Sequence, residues 1–157
     1  MDRNQLAGWI GMVLLLAIAL QLQTQQYALA VPQQTNLMTY VLQQRPVLAE
    51  LITKAGLTPT LSGHEAYTLL APPEAALQRW KEKSTPELRK LLMSHLLKGN
   101  YQEKDLKDGA TLRTLAGTKI TICRKEGSTM VDGVRIVAAD QAVQNGMLHG
   151  LAAPLSM

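Results

Sequence analysis

The fold is decided by residues 111–152, which read TLRTLAGTKITICRKEGSTMVDGVRIVAADQAVQNGMLHGLA. Apolar and polar residues alternate along much of this stretch, and that period is typical of β-strands with one buried face. The alternation breaks at residues 116–117, 132–133 and 145–146, which read AG, DG and NG, all compatible with tight turns. The stretch therefore predicts two hairpins followed by a last apolar strand, MLHGLA.

Helical spacing comes earlier in the chain. Residues 84–87, STPE, supply a helix cap, a proline for the first turn and a glutamate for a capping box. Leu residues and His95 then follow at helical spacing up to Leu96, and Gly99 is predicted to end this helix. Pro46 and Gly56 are predicted to begin and end another helix.

Between these helices, residues 67–71, YTLLA, predict a short buried strand. Pro73 can open a further helix that carries Leu77 and Trp80 inward. Helices followed by hairpins favour the α+β class, with helices gathered against a sheet or sandwich.

The composition selects a protein with a core and excludes several functional classes. Apolar residues make up 46% and charged residues 18% of 157 residues, while Phe is absent. The net charge of +4 is not concentrated in one stretch, which argues against a nucleic-acid partner. Cys123 is the single cysteine, so an internal disulfide and a cysteine-based zinc site are excluded.

The run Leu6–Leu22 carries no charge, and after it no charged residue appears before Arg45. Two interpretations remain open. Residues 1–30 are a secretory signal peptide with a small-residue cleavage site at 28–30, or a retained anchor of roughly 25 Å. Either predicts export of the remaining chain, with residues 31–35 as a tether and 36–157 as the domain. The predicted membrane-facing residues are Leu6, Trp9, Ile10, Val13, Leu16 and Leu20.

Four segments in order then resemble the fasciclin-like domain family: YTLLAPPEAAL at 67–77, LLMSHLLKGNY at 91–101, LKDGATLRTLAGTKITI at 106–122 and VAADQAVQNGMLHGLAAPL at 137–155. The resemblance covers roughly residues 36–155. It implies a compact β-sandwich with packed helices, preceded here by one hydrophobic helix. It also implies an adhesion or protein-interaction module without common catalytic residues.

The resemblance assigns structural roles to a set of motif positions. They are Thr68, Ala71, Pro72, His95, Asp108, Gly109, Gly117, Asp140, Asn145, Gly146 and His149. Leu70 and Leu77 stand where the family usually has Phe, which predicts a core repacked with Leu and Met. Ser94 precedes His95, where animal members associated with integrin binding have Tyr, so that role is not expected here.

The histidines invite a metal or acid–base interpretation, but no carboxylate or second histidine accompanies them at ligand spacing. We therefore interpret His95, on the Leu face of its helix, and His149, in a strand, as hydrogen-bonding core residues. Asn145-Gly146 is interpreted as a turn, Asp140 as a turn or cap acceptor, and Cys123 as a small apolar residue ending a strand. The sequence predicts no enzyme, no metal and no cofactor.

These observations lead to one function hypothesis and one alternative. The first is an extracytoplasmic interaction or adhesion module anchored in the bilayer through residues 6–22, with membrane proteins as partners, as in an accessory subunit of a membrane complex. The alternative is a secreted, soluble adhesion protein after cleavage of the signal peptide. The basic residues between Arg79 and Lys90 alternate with Glu82 and Glu87 and are interpreted as a solvated helical surface.

Overall fold

A computed structural model describes residues 8–19 and 35–156 of the chain. The chain divides into two compact units, residues 1–34 and 35–157. In the first unit, residues 8–19 are helical and most of their side chains are exposed. Among the described residues, no helix combines the length and the apolar character needed to span a bilayer. Leu6, Leu20 and the tether up to residue 34 lie outside the described residues.

The helices of the second unit are α1 (Leu37–Gln44), α2 (Pro46–Lys54), α3 (Thr58–Ser62), α4 (Glu74–Leu77) and α5 (Thr85–Met93), with 3-10 helices at Gln78–Glu82 and Glu103–Asp105. α2 and α5 begin where the sequence patterns predict, whereas no pattern predicts α3. The Asn36 side chain caps α1 by accepting the Thr39 N–H at 2.8 Å. The predicted capping box of Ser84 and Glu87 starts α5.

The strands form one mixed sheet in the described part of the chain. They are β1 (Tyr67–Ala71), β2 (Leu96–Lys98), β3 (Thr111–Arg113), β4 (Lys119–Lys125), β5 (Ser128–Val131), β6 (Val134–Val143) and β7 (Gly146–Leu151). Their order in the seven-stranded sheet is β2-β1-β7-β6-β5-β4-β3. β1 and β7 are parallel, and the other neighbours are antiparallel. The predicted α+β class is confirmed.

The predicted sandwich needs a correction, because one coiled sheet replaces two separate sheets. Leu97 of β2 bridges Thr114, just after β3, and the Leu115 N–H donates to the Leu96 carbonyl at 2.9 Å. The two edge strands of the sheet therefore meet. Apolar residues from β1, β2, β4, β5, β6 and β7 form one enclosed cluster, so the inner face of the coiled sheet surrounds its own core.

A second core lies between the helices and the other face of β1. Leu69 belongs to this helical core, whereas the next residue, Leu70, belongs to the core inside the sheet. All five residues of β1 are buried, as expected for a central strand that is covered on both faces. β1 thus joins the two cores.

The expectation that the fifth helix extends to Gly99 is wrong. α5 ends at Met93, and Leu96–Lys98 form β2 against β1. Leu96 then faces the helical core and Leu97 faces the sheet core, a division that a strand provides and a helix does not. His95 therefore lies in the connection after α5 and not on the Leu face of the helix.

Candidate functional site

Four predicted motif residues are buried polar side chains that connect separate parts of the domain. They are Thr68, His95, Asn145 and His149, each between 0% and 6% exposed. We call them the buried polar network. Because a buried polar group without a partner destabilises the fold, the partners of each side chain show what it contributes.

His95 attaches the carboxy-terminal segment to the end of α5. Its Nδ1 lies 2.8 Å from the Leu91 carbonyl and donates to it, and its Nε2 accepts the Leu155 N–H at 3.0 Å. The Trp80 ring contacts the imidazole edge to face, with 5.4 Å between the ring centres. Burial lowers the pKa of His95, and only its hydrogen bond to Leu91 acts against this. The neutral imidazole is the form that fits both bonds.

We expect the domain to lose stability as the pH falls below about 6.5, the ordinary histidine pKa. The folded pKa of His95 is lowered, so in this window the unfolded chain binds a proton that the folded chain does not. The free energy of unfolding should therefore rise with pH up to the unfolded pKa. Urea unfolding at several pH values should show this slope reduced in His95→Asn and retained in His64→Asn, which changes an exposed histidine. An equal slope in both variants would contradict the assignment.

His149 connects β7 to two irregular segments. Its Nε2 donates to the Tyr101 carbonyl at 2.7 Å, and its Nδ1 accepts the Asp140 N–H at 3.1 Å. Asp140 lies where the pairing of β6 with β7 is irregular, with φ of 59°. Its carboxylate accepts the Glu103 N–H at 2.7 Å, which is an acceptor role of the kind predicted for it.

Asn145 holds three segments at the start of β7. Its Oδ1 accepts the Leu37 N–H at 2.6 Å, and its Nδ2 donates to the Leu61 and Gly63 carbonyls at 2.9 and 2.8 Å. The side chain is thus a bridge between α1, the end of α3 and the sheet. Gly146, which follows, has φ of +155° and packs against the Tyr67 backbone.

The remaining motif positions shape the chain around this network. Thr68 donates to the Gly99 carbonyl at 2.8 Å and accepts the Tyr101 N–H at 2.9 Å, which fixes the segment after β2. Ala71 is fully buried at the end of β1. The other members lie in turns or connections: Pro72 after β1, Asp108 and Gly109 before β3, and Gly117 between β3 and β4.

These contacts make the network a structural crosslink. Each ring nitrogen of His95 and His149 is within hydrogen-bond distance of a protein atom, and both side chains are 0% exposed. In residues 8–19 and 35–156, no three His, Cys, Asp or Glu side chains lie close enough together to hold a metal ion. The absence of catalysis stays a prediction.

The prediction that Cys123 ends a strand is wrong. Cys123 lies inside β4, and its side chain is exposed. The hairpin between β4 and β5 was also missed. Glu126 and Gly127 both have positive φ there, at 52° and 72°. A Glu-Gly pair is a weaker turn signal than Asn-Gly or Asp-Gly, so the pattern predicts the two strands in separate hairpins but not the turn that pairs them.

A clamp around Arg45 was missed as well. Its Nε donates to Glu74 at 2.9 Å, its guanidinium also donates to the Pro72 carbonyl, and Glu74 accepts the Val47 N–H at 2.9 Å. Glu74 thereby caps the start of α2 from a distant segment. Because 29 positions separate Arg45 from Glu74, no local pattern could have indicated the pair.

The domain surface carries two clefts beside the carboxy-terminal segment. One, of about 440 Å³, is lined by Ala75, Ala76, Arg79, Trp80 and Pro154. The other, of about 180 Å³, lies on the Leu155 side and includes Ser94 and Lys119.

Some basic residues of the helical surface bind other groups of the domain. Lys81 pairs with Glu50 at 2.7 Å, and Arg89 donates to the Ala55 and Gly56 carbonyls at 3.0 and 3.2 Å.

Comparisons with known proteins agree with this architecture. The chain matches the Fasciclin domain family model over residues 43–157. The transforming growth factor-beta-induced protein ig-h3 of Sus scrofa is 32% identical over 99 residues, and that of Oryctolagus cuniculus is 33% identical over 99 residues. In each case the match covers 63% of this chain and 14% of the mammalian protein. An uncharacterised protein of Synechocystis is 25% identical over 109 residues, 65% of this chain and 81% of that protein.

Among solved structures, the FAS1 domain pair of the insect cell adhesion molecule Fasciclin I superposes with a TM-score of 0.63 and 16% identity. The match covers 78% of this chain and 51% of that chain. This similarity supports the fold, while the family model, which matches most of the sequence, decides the family. The chain belongs to the Fasciclin domain family, whose domains occur in adhesion and extracellular proteins.

Proposed function

We propose that this protein is an extracytoplasmic binding module, tethered to a membrane by its amino-terminal apolar helix and serving as an adhesion or accessory subunit of a membrane assembly. The observation that carries the proposal is the exposed apolar surface of residues 8–19. Eight large apolar side chains there are 52–70% exposed: Trp9, Ile10, Met12, Val13, Leu14, Leu15, Leu16 and Ile18.

A helix that is apolar on all sides is stable in a bilayer or against other apolar helices, because water solvates these side chains poorly. The uncharged sequence extends from Leu6 to Leu22. As a helix with a rise of roughly 1.5 Å per residue it would be roughly 25 Å long, which is at the short end of the lengths that span a bilayer. Gly11 lies in the described part of the helix, where another helix could approach closely.

The buried contacts of the domain support a binding role. The four side chains of the buried polar network crosslink separate segments, which favours a preorganised scaffold that binds through its surface. The Fasciclin I structure comes from a cell adhesion molecule, which makes adhesion the nearest functional model for this domain. Anchoring would raise the local concentration of the domain near membrane partners without any new contact.

Membrane association tests the anchor directly. We expect the full chain to sediment with membranes and to resist an alkaline carbonate wash. Leu15→Arg, in the apolar helix, should move it to the soluble fraction because a charge in the bilayer centre costs about 3 kcal/mol. Leu42→Arg is the control, since Leu42 is 56% exposed on α1 of the domain. Release of both variants, or of neither, would count against the anchor.

Intact-mass measurement of native material separates anchored from secreted protein. The full-length mass of 17.2 kDa is expected for the anchored form. Removal of residues 1–30 would establish the secreted alternative. Co-purification of a defined membrane protein in mild detergent is the expected result for an accessory subunit, and isolation only as a monomer would contradict that part of the proposal.

A further inference from the structure

The outer face of the hairpin strands carries a cluster of cations. Arg113 of β3 lies opposite Lys119 of β4, Lys125 lies near the end of β4, and Arg135 of β6 lies opposite Met130 of β5. Along β4 the inward residues Ile120 and Ile122 are buried, so the alternate positions face outward. We call this surface the basic sheet face. Its members are Arg113, Lys119, Cys123, Lys125, Met130 and Arg135.

No strand position on this face holds a carboxylate, and none of its four cations has an ion-pair partner within the part of the chain that the structure describes. Two acidic residues lie in the turns beside these cations: Glu126 follows β4, and Asp132 follows β5 and lies opposite Thr121 of β4. The Asp132 carboxylate accepts the Thr121 N–H at 2.7 Å and is thus engaged locally.

The pairing of Arg113 with Lys119 works against stability. Like charges directly opposite on neighbouring strands repel each other, and such pairs are disfavoured. Elsewhere in the domain, cations lie next to carboxylates, as in the Arg45–Glu74 and Lys81–Glu50 ion pairs. The repulsion at the basic sheet face is relieved when an anionic surface lies against it.

We propose that the basic sheet face docks on an anionic lipid bilayer and so orients the domain on the membrane. The cations of the face are spread over three strands, β3, β4 and β6, which suits a broad charged surface better than a single small ligand. Cys123 lies opposite Met130 at the centre of the face. Because both side chains are uncharged, they can approach the lipid without the cost of removing water from a charged group.

The short length of the segment between the apolar run and the domain supports this assignment. This step rests on the proposed anchoring. Residues 23–34 connect the apolar run to Thr35, and fully extended they span at most about 40 Å. A domain on such a tether stays close to the bilayer. Each exposed Lys or Arg near an anionic leaflet is attracted to it, so a few cations on one face are enough to select an orientation.

The single cysteine gives a direct readout. Cys123 is exposed at the centre of the face, so its reaction rate with a membrane-impermeant maleimide reports whether the face is covered. The full chain is reconstituted into vesicles of phosphatidylcholine alone or of phosphatidylcholine with phosphatidylglycerol. We expect labelling to be at least about fivefold slower on the anionic vesicles and to recover at high salt, which screens the attraction.

Matched variants separate docking from general charge effects. Lys119→Ser/Arg135→Ser should abolish the protection, whereas Lys90→Ser/Lys104→Ser removes the same charge elsewhere on the exposed surface and should keep it. A Cys123→Ser/Glu82→Cys variant moves the thiol to an exposed position after α4, where anionic lipid should give no comparable protection.

Equal labelling on both vesicle types, or protection that Lys119→Ser/Arg135→Ser retains, would overturn the inference. Protection by polyglutamate without vesicles, but not by anionic lipid, would assign the face to an acidic protein instead. The outcome for anchoring is separate. If the chain fails to float with neutral vesicles but added anionic vesicles still protect Cys123, the anchor is refuted and the docking face stands.

Discussion

Gly146→Ala is expected to destabilise the domain by more than about 4 kcal/mol, a large share of the roughly 5–15 kcal/mol that is typical of a folded domain. Gly146 starts β7, lies opposite Tyr67 of the parallel strand β1, and has φ of +155°. An added Cβ would overlap the Tyr67 carbonyl oxygen, and the nearby atoms are backbone. Relief would require β1 and β7 to separate, and these strands join the two cores.

The control is Gly117→Ala in the turn between β3 and β4. Gly117 also has positive φ, +84°, but an added Cβ there meets nothing within 4 Å. The cost should be only the backbone strain, about 1–2 kcal/mol. Urea unfolding followed by circular dichroism measures both variants. Similar losses of stability in the two variants would show that the approach of Gly146 to Tyr67 does not limit the fold.

The sequence predicts those parts of the fold whose signals are local. The capping box at Ser84, the strand 67–71 and the turn at 132–133 all appear where the pattern indicated. In each case the residues that carry the signal are near one another in the chain, so their local preferences and their tertiary roles agree.

The errors occur where tertiary pairing outweighs local spacing. Leu96 continues the helical period of α5, yet β2 forms because the backbone of residues 96–98 pairs with β1 and its two Leu side chains enter different cores. Closure of the sheet through Leu97 and Thr114 joins β2 and β3, which are consecutive in the chain but lie at opposite edges of the sheet, so no local period indicates the contact.

The candidate site shows the same division. The identity of the motif residues was available from the sequence, but their partners were not: His95 reaches Leu155 over 60 positions and Asn145 reaches Leu37 over 108. These long connections explain how a small domain built largely from Leu, without Phe, keeps a defined arrangement of segments. Apolar packing is non-directional, whereas a buried hydrogen bond is satisfied in few geometries.

Asn145→Ala is the direct test of this role, and we expect a loss of about 3–5 kcal/mol. The substitution leaves the Leu37 N–H and the Leu61 and Gly63 carbonyls without their partner, and each such buried group costs about 1–3 kcal/mol. Asn100→Ala, at an exposed position, should change the free energy of unfolding by less than about 0.5 kcal/mol. A loss in Asn145→Ala no larger than in Asn100→Ala would contradict the crosslink.

Asn145→Asp tests the direction of the individual bonds. The carboxylate can still accept the Leu37 N–H, but it faces the Leu61 and Gly63 carbonyls, to which it has no hydrogen to donate. Its folded pKa is therefore raised above the unfolded value, and stability is lost as the pH rises through the folded pKa. Relative to wild type at each pH, Asn145→Asp should be least destabilised in acid, where the protonated group can donate to one carbonyl. A deficit that does not change with pH would show that the side chain acts through its shape alone.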